Sequence, residues 1–155
     1  MAKKLALIAS KGSLDWGYPP FILASTAAAL DYEVQIFFTF YGLTLLKKDI
    51  SDLKVSPLGN PAMPMPLPMP NFVQILPGME SLATMMMKQK MADKGVASLE
   101  DLRAACLESG VKLIACQMTV DLFDFKPGDF IEGIEFGGAA TFFEFAGESD
   151  VSLFI

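Results

Sequence analysis

Residues 110–121 read Gly-Val-Lys-Leu-Ile-Ala-Cys-Gln-Met-Thr-Val-Asp, and this stretch decides the fold. Val111–Ala115 is a short apolar run, which predicts a buried strand. Gln117–Phe123 follows directly and has the character of a short helix. A strand passing into a helix without a hairpin turn is half of a βα unit, the building block of parallel sheets. Immediately upstream, Ser98-Leu-Glu-Asp101 opens another helix in the manner of a capping box, running to Ser109 with Gly110 as its C-cap.

Working outward, the same alternation recurs. Lys4–Ala9 is an apolar run ending at a glycine loop and predicts a first strand. Asp15 is placed to cap a helix through Ala29, with Pro19 and Pro20 in or near its first turn. Glu33–Phe38 predicts a second strand and Tyr41–Lys48 a short helix. Met79, Leu82, Ala83, Met86 and Lys90 stand at helical spacing after Pro77-Gly78. Beyond Cys116, a turn is expected at Lys126–Asp129 and a fourth strand at Phe130–Ile134. A glycine-led helix at Gly137–Ala146 and a last strand at Val151–Ile155 complete the series. The expected fold is a single α/β domain over residues 1–155, a three-layer α/β/α sandwich with a mainly parallel sheet of about five strands.

One segment breaks the pattern. Seven of the ten prolines lie between Ser56 and Gly78, in a run that includes Met63-Pro-Met-Pro-Leu-Pro-Met-Pro70. Alternating proline forbids helix and central strand and favours an extended, polyproline-like course over 56–78. Its Met, Leu and Phe72 side chains suit an apolar surface better than solvent.

Composition narrows the function. The chain of 155 residues is 52% hydrophobic and 19% charged, with net charge −6, no histidine and two cysteines. Excess apolar surface on one small domain points to a homo-oligomer. Pro19–Leu30 and Val34–Leu46 are too short to span a bilayer, so no membrane span is expected. The basic-then-apolar start lacks a small-residue cleavage site and reads as a buried strand of a cytoplasmic protein. Net negative charge argues against nucleic acid. Without histidine there is no Ser-His-Asp or Cys-His catalysis, and the cysteines match no metal spacing. No metal or cofactor is expected.

Ligands of open parallel sheets bind beyond the C-terminal ends of the strands. Here those ends are Ser10-Lys11-Gly12, Thr39-Phe40-Tyr41-Gly42, Cys116-Gln117 and Gly137-Gly138. Cys116 is the thiol at such a position. The free amides of a following helix favour its thiolate, lowering the pKa from about 8.5 towards neutrality. Lys11 adds positive charge if its loop faces the same edge. A thiol beside a sheet is equally often buried and inert, and position alone leaves both readings open. Cys106 shares a helix face with Leu99 and Leu102, which favours core packing, although a role as a second thiol stays open. Ser10–Ser13 and Gly137-Gly138 read as tight turns more readily than as anion cradles, and neither fits a nucleotide motif. Met85, Met86, Met87 and Met91 read as core, and Asp121 and Asp124 as the solvated end of a helix.

The stretches SKGSLDWGYPP (10–20), FFTFYGL (37–43), GNPAMPMPLPMPN (59–71), GVKLIACQMTVD (110–121) and GGAATFFEFA (137–146) resemble the DsrE/DsrF/DsrH-like sulfur-carrier family. They match its stand-alone branch, often labelled "peroxiredoxin family". The resemblance implies a parallel α/β fold, assembly into homo-oligomers, and a strand-end cysteine that carries persulfide or thiosulfonate to another thiol. That role falls on Cys116, with Cys106 the candidate second thiol. TusA-like or rhodanese-like sulfur carriers are the implied partners, with small sulfur anions as ligands.

The resulting expectation is a sulfurtransferase-like carrier with Cys116 as nucleophile. Lys11, Gly12, Tyr41, Gly42, Gln117 and Gly138 would hold the sulfur ligand. Two alternatives accompany it: a thiol peroxidase or redox sensor, and a non-catalytic docking subunit.

Overall fold

The computed structural model describes residues 1–56 and 71–155; the proline-methionine run at 57–70 lies outside the described residues. Three strands form the middle of the sheet: β1 (Lys4–Ala9), β2 (Glu33–Phe38) and β3 (Lys112–Cys116). Two shorter strands form its edges: β4 (Glu135–Gly137) and β5 (Val151–Phe154). The order is β4-β3-β2-β1-β5, and every pairing is parallel. Among the described residues, five α-helices connect them: α1 (Leu14–Ala29), α2 (Met79–Asp93), α3 (Leu99–Glu108), α4 (Gln117–Leu122) and α5 (Ala139–Ala146).

The chain steps from β1 to β4 in one direction, then returns past β1 to β5. Parallel crossovers keep one hand, so reversing the direction moves the connecting helix to the opposite face. Helices α1 and α3 therefore cover one face, where Leu7, Ile36, Phe38 and Leu113 meet Phe21, Leu99 and Cys106 in the larger core. Helix α5 covers the other, where Ala6, Phe37, Ile114 and Cys116 meet Phe142 in a smaller cluster. Side chains alternate between the faces along each strand, which is why Ala115 and Cys116 fall in different clusters.

Several details depart from the sequence-based expectations. The fourth strand is Glu135–Gly137 rather than Phe130–Ile134, and Pro127–Asp129 forms a 3₁₀ turn before it. Phe130 is buried, but through a single antiparallel bridge to Lys47, and a turn at Gly133 (φ +85°) breaks the run. Ser13, not Asp15, is the N-cap of α1; Asp15 instead accepts hydrogen bonds from the Ser56 amide (2.8 Å) and hydroxyl (3.0 Å). Pro19 and Pro20 sit in the second turn of α1 and the helix continues through them, held by the burial of Phe21 and Ala24 against the sheet. The short helix after β2 is a 3₁₀ helix over Phe40–Leu46, and another occupies Asn71–Ile75, within the stretch expected to be extended. In α2, Met87 packs on the core, whereas Met85 and Met86 face outward.

The 3₁₀ helix after β2 is anchored from α3. The Arg103 guanidinium, largely buried, donates to the carbonyls of Leu45 (2.8 Å) and Lys47 (2.6 Å). Orphan carbonyls at the end of a helix need such donors when water is excluded. Arg103→Met retains the apolar stem and removes these bonds. We expect it to lower the unfolding free energy by about 3 kcal/mol, seen as a reduced urea midpoint at unchanged slope.

Candidate functional site

Cys116 is both the last residue of β3 and the N-cap of α4. Strand alternation directs its side chain to the α5 face, beside Phe37, Ile114 and Phe142. It is 4% exposed. Its register partner is Gly137 of β4, so the return loop into α5 runs alongside it. One helical turn on, Thr119 is fully buried. The Thr119 hydroxyl accepts the Phe40 amide proton at 3.2 Å and lies 3.4 Å from the Thr39 hydroxyl. Phe40 adopts φ +47°, a left-handed conformation unusual for a bulky side chain. The end of β2 and the start of α4 are thereby tied together around the sulfur.

The electrostatics follow from these neighbours. Burial pushes the Cys116 thiol up. The hydroxyl and amide of Thr119, the hydroxyl of Thr39 and the amide of Met118 outweigh it and hold the pKa below that of an ordinary thiol. The thiol makes no capping hydrogen bond to the helix, and donors of this kind favour the thiolate over the thiol. The Thr119 hydroxyl ranks ahead of the free amides here, in keeping with a helix only six residues long. Cys106 is the opposite case. Burial drives its pKa up to about 11, and its thiol points at the Phe21 carbonyl (3.4 Å) in the core on the other face of the sheet. The sheet separates the two sulfurs.

The other predicted site residues divide into two groups. Lys11, Gly12 and Tyr41 line a cleft of about 540 Å³ with Ser13, Trp16, Thr44 and Ser56, and Cys116 is not among its walls. The Lys11 ammonium lies 3.6 Å from the centre of the Trp16 ring, a cation–π contact on the α1 side of the sheet edge. Gly12 and Gly42 serve close backbone approach: a Cβ on Gly12 would collide with the Tyr41 carbonyl, and one on Gly42 with that of Ala9. Tyr41 is exposed and stacks on Phe123, with ring centres 5.9 Å apart. Gln117 turns away and donates to the Asp121 carboxylate at 2.8 Å. Gly138 stands one residue beyond the β4 partner of Cys116, with open space beside its Cα. Sequence reasoning placed Thr39 and Phe40 at a strand end without linking them to Cys116, and it missed Thr119. Thr119 carried one usable signal, its position three residues after the cysteine, the spacing of an N-cap and its N3 residue.

Comparison with known proteins adds the family. The profile described as the DsrE/DsrF/DrsH-like family matches residues 1–154. The chain belongs to this family. It is 66% identical, over 99% of its length and 98% of the relative's, to the sulfur carrier protein DsrE2 of Allochromatium vinosum. It is 32% identical to the uncharacterized protein YrkE of Bacillus subtilis, covering 99% and 97% of the two chains. Two solved structures share the DsrE-like fold at low identity. The ychN protein of E. coli has a TM-score of 0.56 at 9% identity, and protein MTH1491 of Methanobacterium thermoautotrophicum 0.57 at 10%; each comparison covers 99% of both chains.

The two thiols of this DsrE-like chain should react in sequence. In the folded protein, iodoacetamide at pH 8 is expected to modify Cys116 and leave Cys106 untouched until the protein is unfolded, as read by peptide mass spectrometry. Because its pKa is depressed, Cys116 should reach half-maximal alkylation at a lower pH than a small free thiol measured alongside it. Equal labelling of both cysteines in native protein would contradict this assignment.

Proposed function

We propose that this protein carries sulfur covalently on Cys116 and relays it between thiols. The observation that carries the reading is the Cys116 sulfur itself, a thiol with a depressed pKa at the end of a central strand, ringed by neutral donors. The 66% identity to a protein named as a sulfur carrier points the same way. Cys106 takes no part, because it lies in the opposite core with its pKa raised. Nor is the peroxidase alternative favoured: a peroxidatic cysteine is typically held beside an arginine, and Arg103, the chain's single arginine, is engaged with carbonyl groups of the 3₁₀ helix.

The chemistry is redox-neutral exchange. The Cys116 thiolate attacks the outer sulfur of a persulfide R–S–SH, forming Cys116–S–SH and releasing R–S⁻. An acceptor thiolate R′–S⁻ then attacks that outer sulfur, giving R′–S–SH and regenerating the Cys116 thiolate. With thiosulfate, the same attack forms Cys116–S–S⁻ and releases sulfite. With tetrathionate, it leaves Cys116–S–S–SO₃⁻ and releases thiosulfate. TusA-like or rhodanese-like carriers, the partners that the family resemblance implies, suit the roles of donor and acceptor.

We place the protein in the reducing cytoplasm, where its two free cysteines persist. Among the described residues, no helix is long and apolar enough to cross a membrane. We also propose that it works as a homo-oligomer. The lightly covered α5 side and the β5 edge leave Phe143, Leu153 and Phe154 exposed, apolar surface suited to burial against further copies.

Intact-protein mass spectrometry after incubation with polysulfide, thiosulfate or tetrathionate tests the carrier role. We expect a reducible adduct of one or more sulfur atoms, or of thiosulfate, present in wild type and Cys106→Ser and absent from Cys116→Ser. Folded, reduced wild type that gains no mass from any donor would overturn the proposal.

A further inference from the structure

The cleft of about 540 Å³ beside Lys11 lies at the C-terminal ends of β1 and β2, the edge where parallel sheets bind ligands. Its floor is fixed. The Thr44 hydroxyl donates to the carbonyls of Tyr41 (2.8 Å) and Gly12 (3.1 Å), and neither Gly12 nor Gly42 leaves room for a Cβ. The hydroxyls of Ser13 and Ser56, 3.1 Å apart, supply polar groups, and the rings of Trp16 and Tyr41 supply apolar surface. Lys11 is the one charged residue in the lining. Its ammonium is held over the Trp16 ring and, among the described residues, joins no ion pair. The neighbouring Asp15 carboxylate is taken up by the Ser56 amide and hydroxyl. One cation, several hydroxyls and two aromatic rings suit an organic anion, with a carboxylate for Lys11 and a body that covers the rings.

Strand register sets what such a ligand can reach. Ala9 of β1, Phe38 of β2 and Ala115 of β3 stand in one row across the sheet, so Ser10, Thr39 and Cys116 follow level with one another at its edge. Two strand spacings, about 10 Å, separate the β1 end from the Cys116 end. Three extended residues span about that distance.

We propose that this cleft anchors the non-reacting part of a low-molecular-weight sulfur donor, the persulfide of a small peptidic thiol. Its carboxylate sits on Lys11, its body lies along Trp16 and Tyr41, and its sulfur end extends across the end of β2 towards Cys116. In the exchange of R–S–SH with the Cys116 thiolate, which yields Cys116–S–SH and R–S⁻, the cleft holds R. That the ligand donates sulfur rests on the reading of Cys116 as the carrier; its binding does not need the thiol.

Trp16 is the chain's single tryptophan, so its fluorescence reports on the cleft. The probe is S-methylglutathione, a tripeptide thioether with no exchangeable sulfur, titrated into Cys116→Ser protein. Its diethyl ester and sodium sulfate serve as comparisons, and equilibrium dialysis checks each affinity independently of Trp16 emission. We expect saturable binding of the free acid, weakened about tenfold when Lys11→Gln is added and by a similar factor for the ester. Lys11 is exposed, so its replacement leaves the core intact. No saturable binding of the free acid below about 10 mM, above the usual range of substrate affinities, would overturn the proposal. So would an affinity unchanged in Lys11→Gln or for the ester. Sulfate binding as tightly as the tripeptide would also overturn it, since the cleft would then take a bare inorganic anion. Cys116 is absent from this assay, so a wild type that takes up no sulfur leaves the binding result standing, and loss of binding leaves the carrier role to its own test.

Discussion

Parallel strands cannot be joined by hairpins; each passage from one strand to the next must cross a face of the sheet, and both faces must be covered. In this chain the crossovers leading from β1 to β3 run over one face and the return from β4 to β5 runs over the other. The cover is unequal. One face receives two long helices and a large core, while the other receives the eight residues of α5 and a small cluster around Phe142. Cys116 points to the thin side. Had the pleat placed it one residue earlier in β3, its sulfur would lie in the same core as Cys106 and be chemically silent.

That placement explains how a thiol can be nearly buried and still have a depressed pKa. Desolvation alone makes a sulfur inert, as Cys106 illustrates with its pKa of about 11. At Cys116 the same penalty is outweighed by the donors brought together where β2 ends and α4 begins. Those donors are neutral, so the site stabilises charge on sulfur without a fixed cation. Lys11, the charge that strand-end reasoning assigned to this task, is drawn instead onto the Trp16 ring in a separate cleft. The Phe40–Tyr41 backbone joins the two regions. Tyr41 lines the cleft and Phe40 donates its amide to Thr119.

Glycine has a different meaning here from the one its place in strand-end loops suggests. Gly12 and Gly42 are required because the loop after β1 and the 3₁₀ helix after β2 interlock with no room for a Cβ. This interlock sets the height of the β2 loop above the sheet and hence the reach of Phe40 towards Thr119. Arg103 fixes the other end of the same 3₁₀ helix. A short, weakly bonded element is thus held at both ends, and the polar surround of the sulfur inherits that precision.

The sequence by itself determined the alternation of strands and helices, the parallel sheet, the capping of α3 by Ser98, and the position of Cys116 at a strand end. These follow from apolar runs and local hydrogen-bonding side chains, which act over a few residues. The family resemblance was legible in the same stretches. Only the tertiary structure decided where the fourth strand lies. The pairing of Glu135–Gly137 beside Ile114–Cys116 is a matter of register, while the more apolar Phe130 is consumed by a bridge to Lys47. Only the fold, too, decided which groups surround the sulfur. Thr39 and Thr119 stand eighty residues apart in the chain and meet because β2 and β3 are neighbours with their C-terminal ends at the same edge. A hydroxyl's choice of partner is a short-range matter of distance and direction, and no local pattern of residues encodes it.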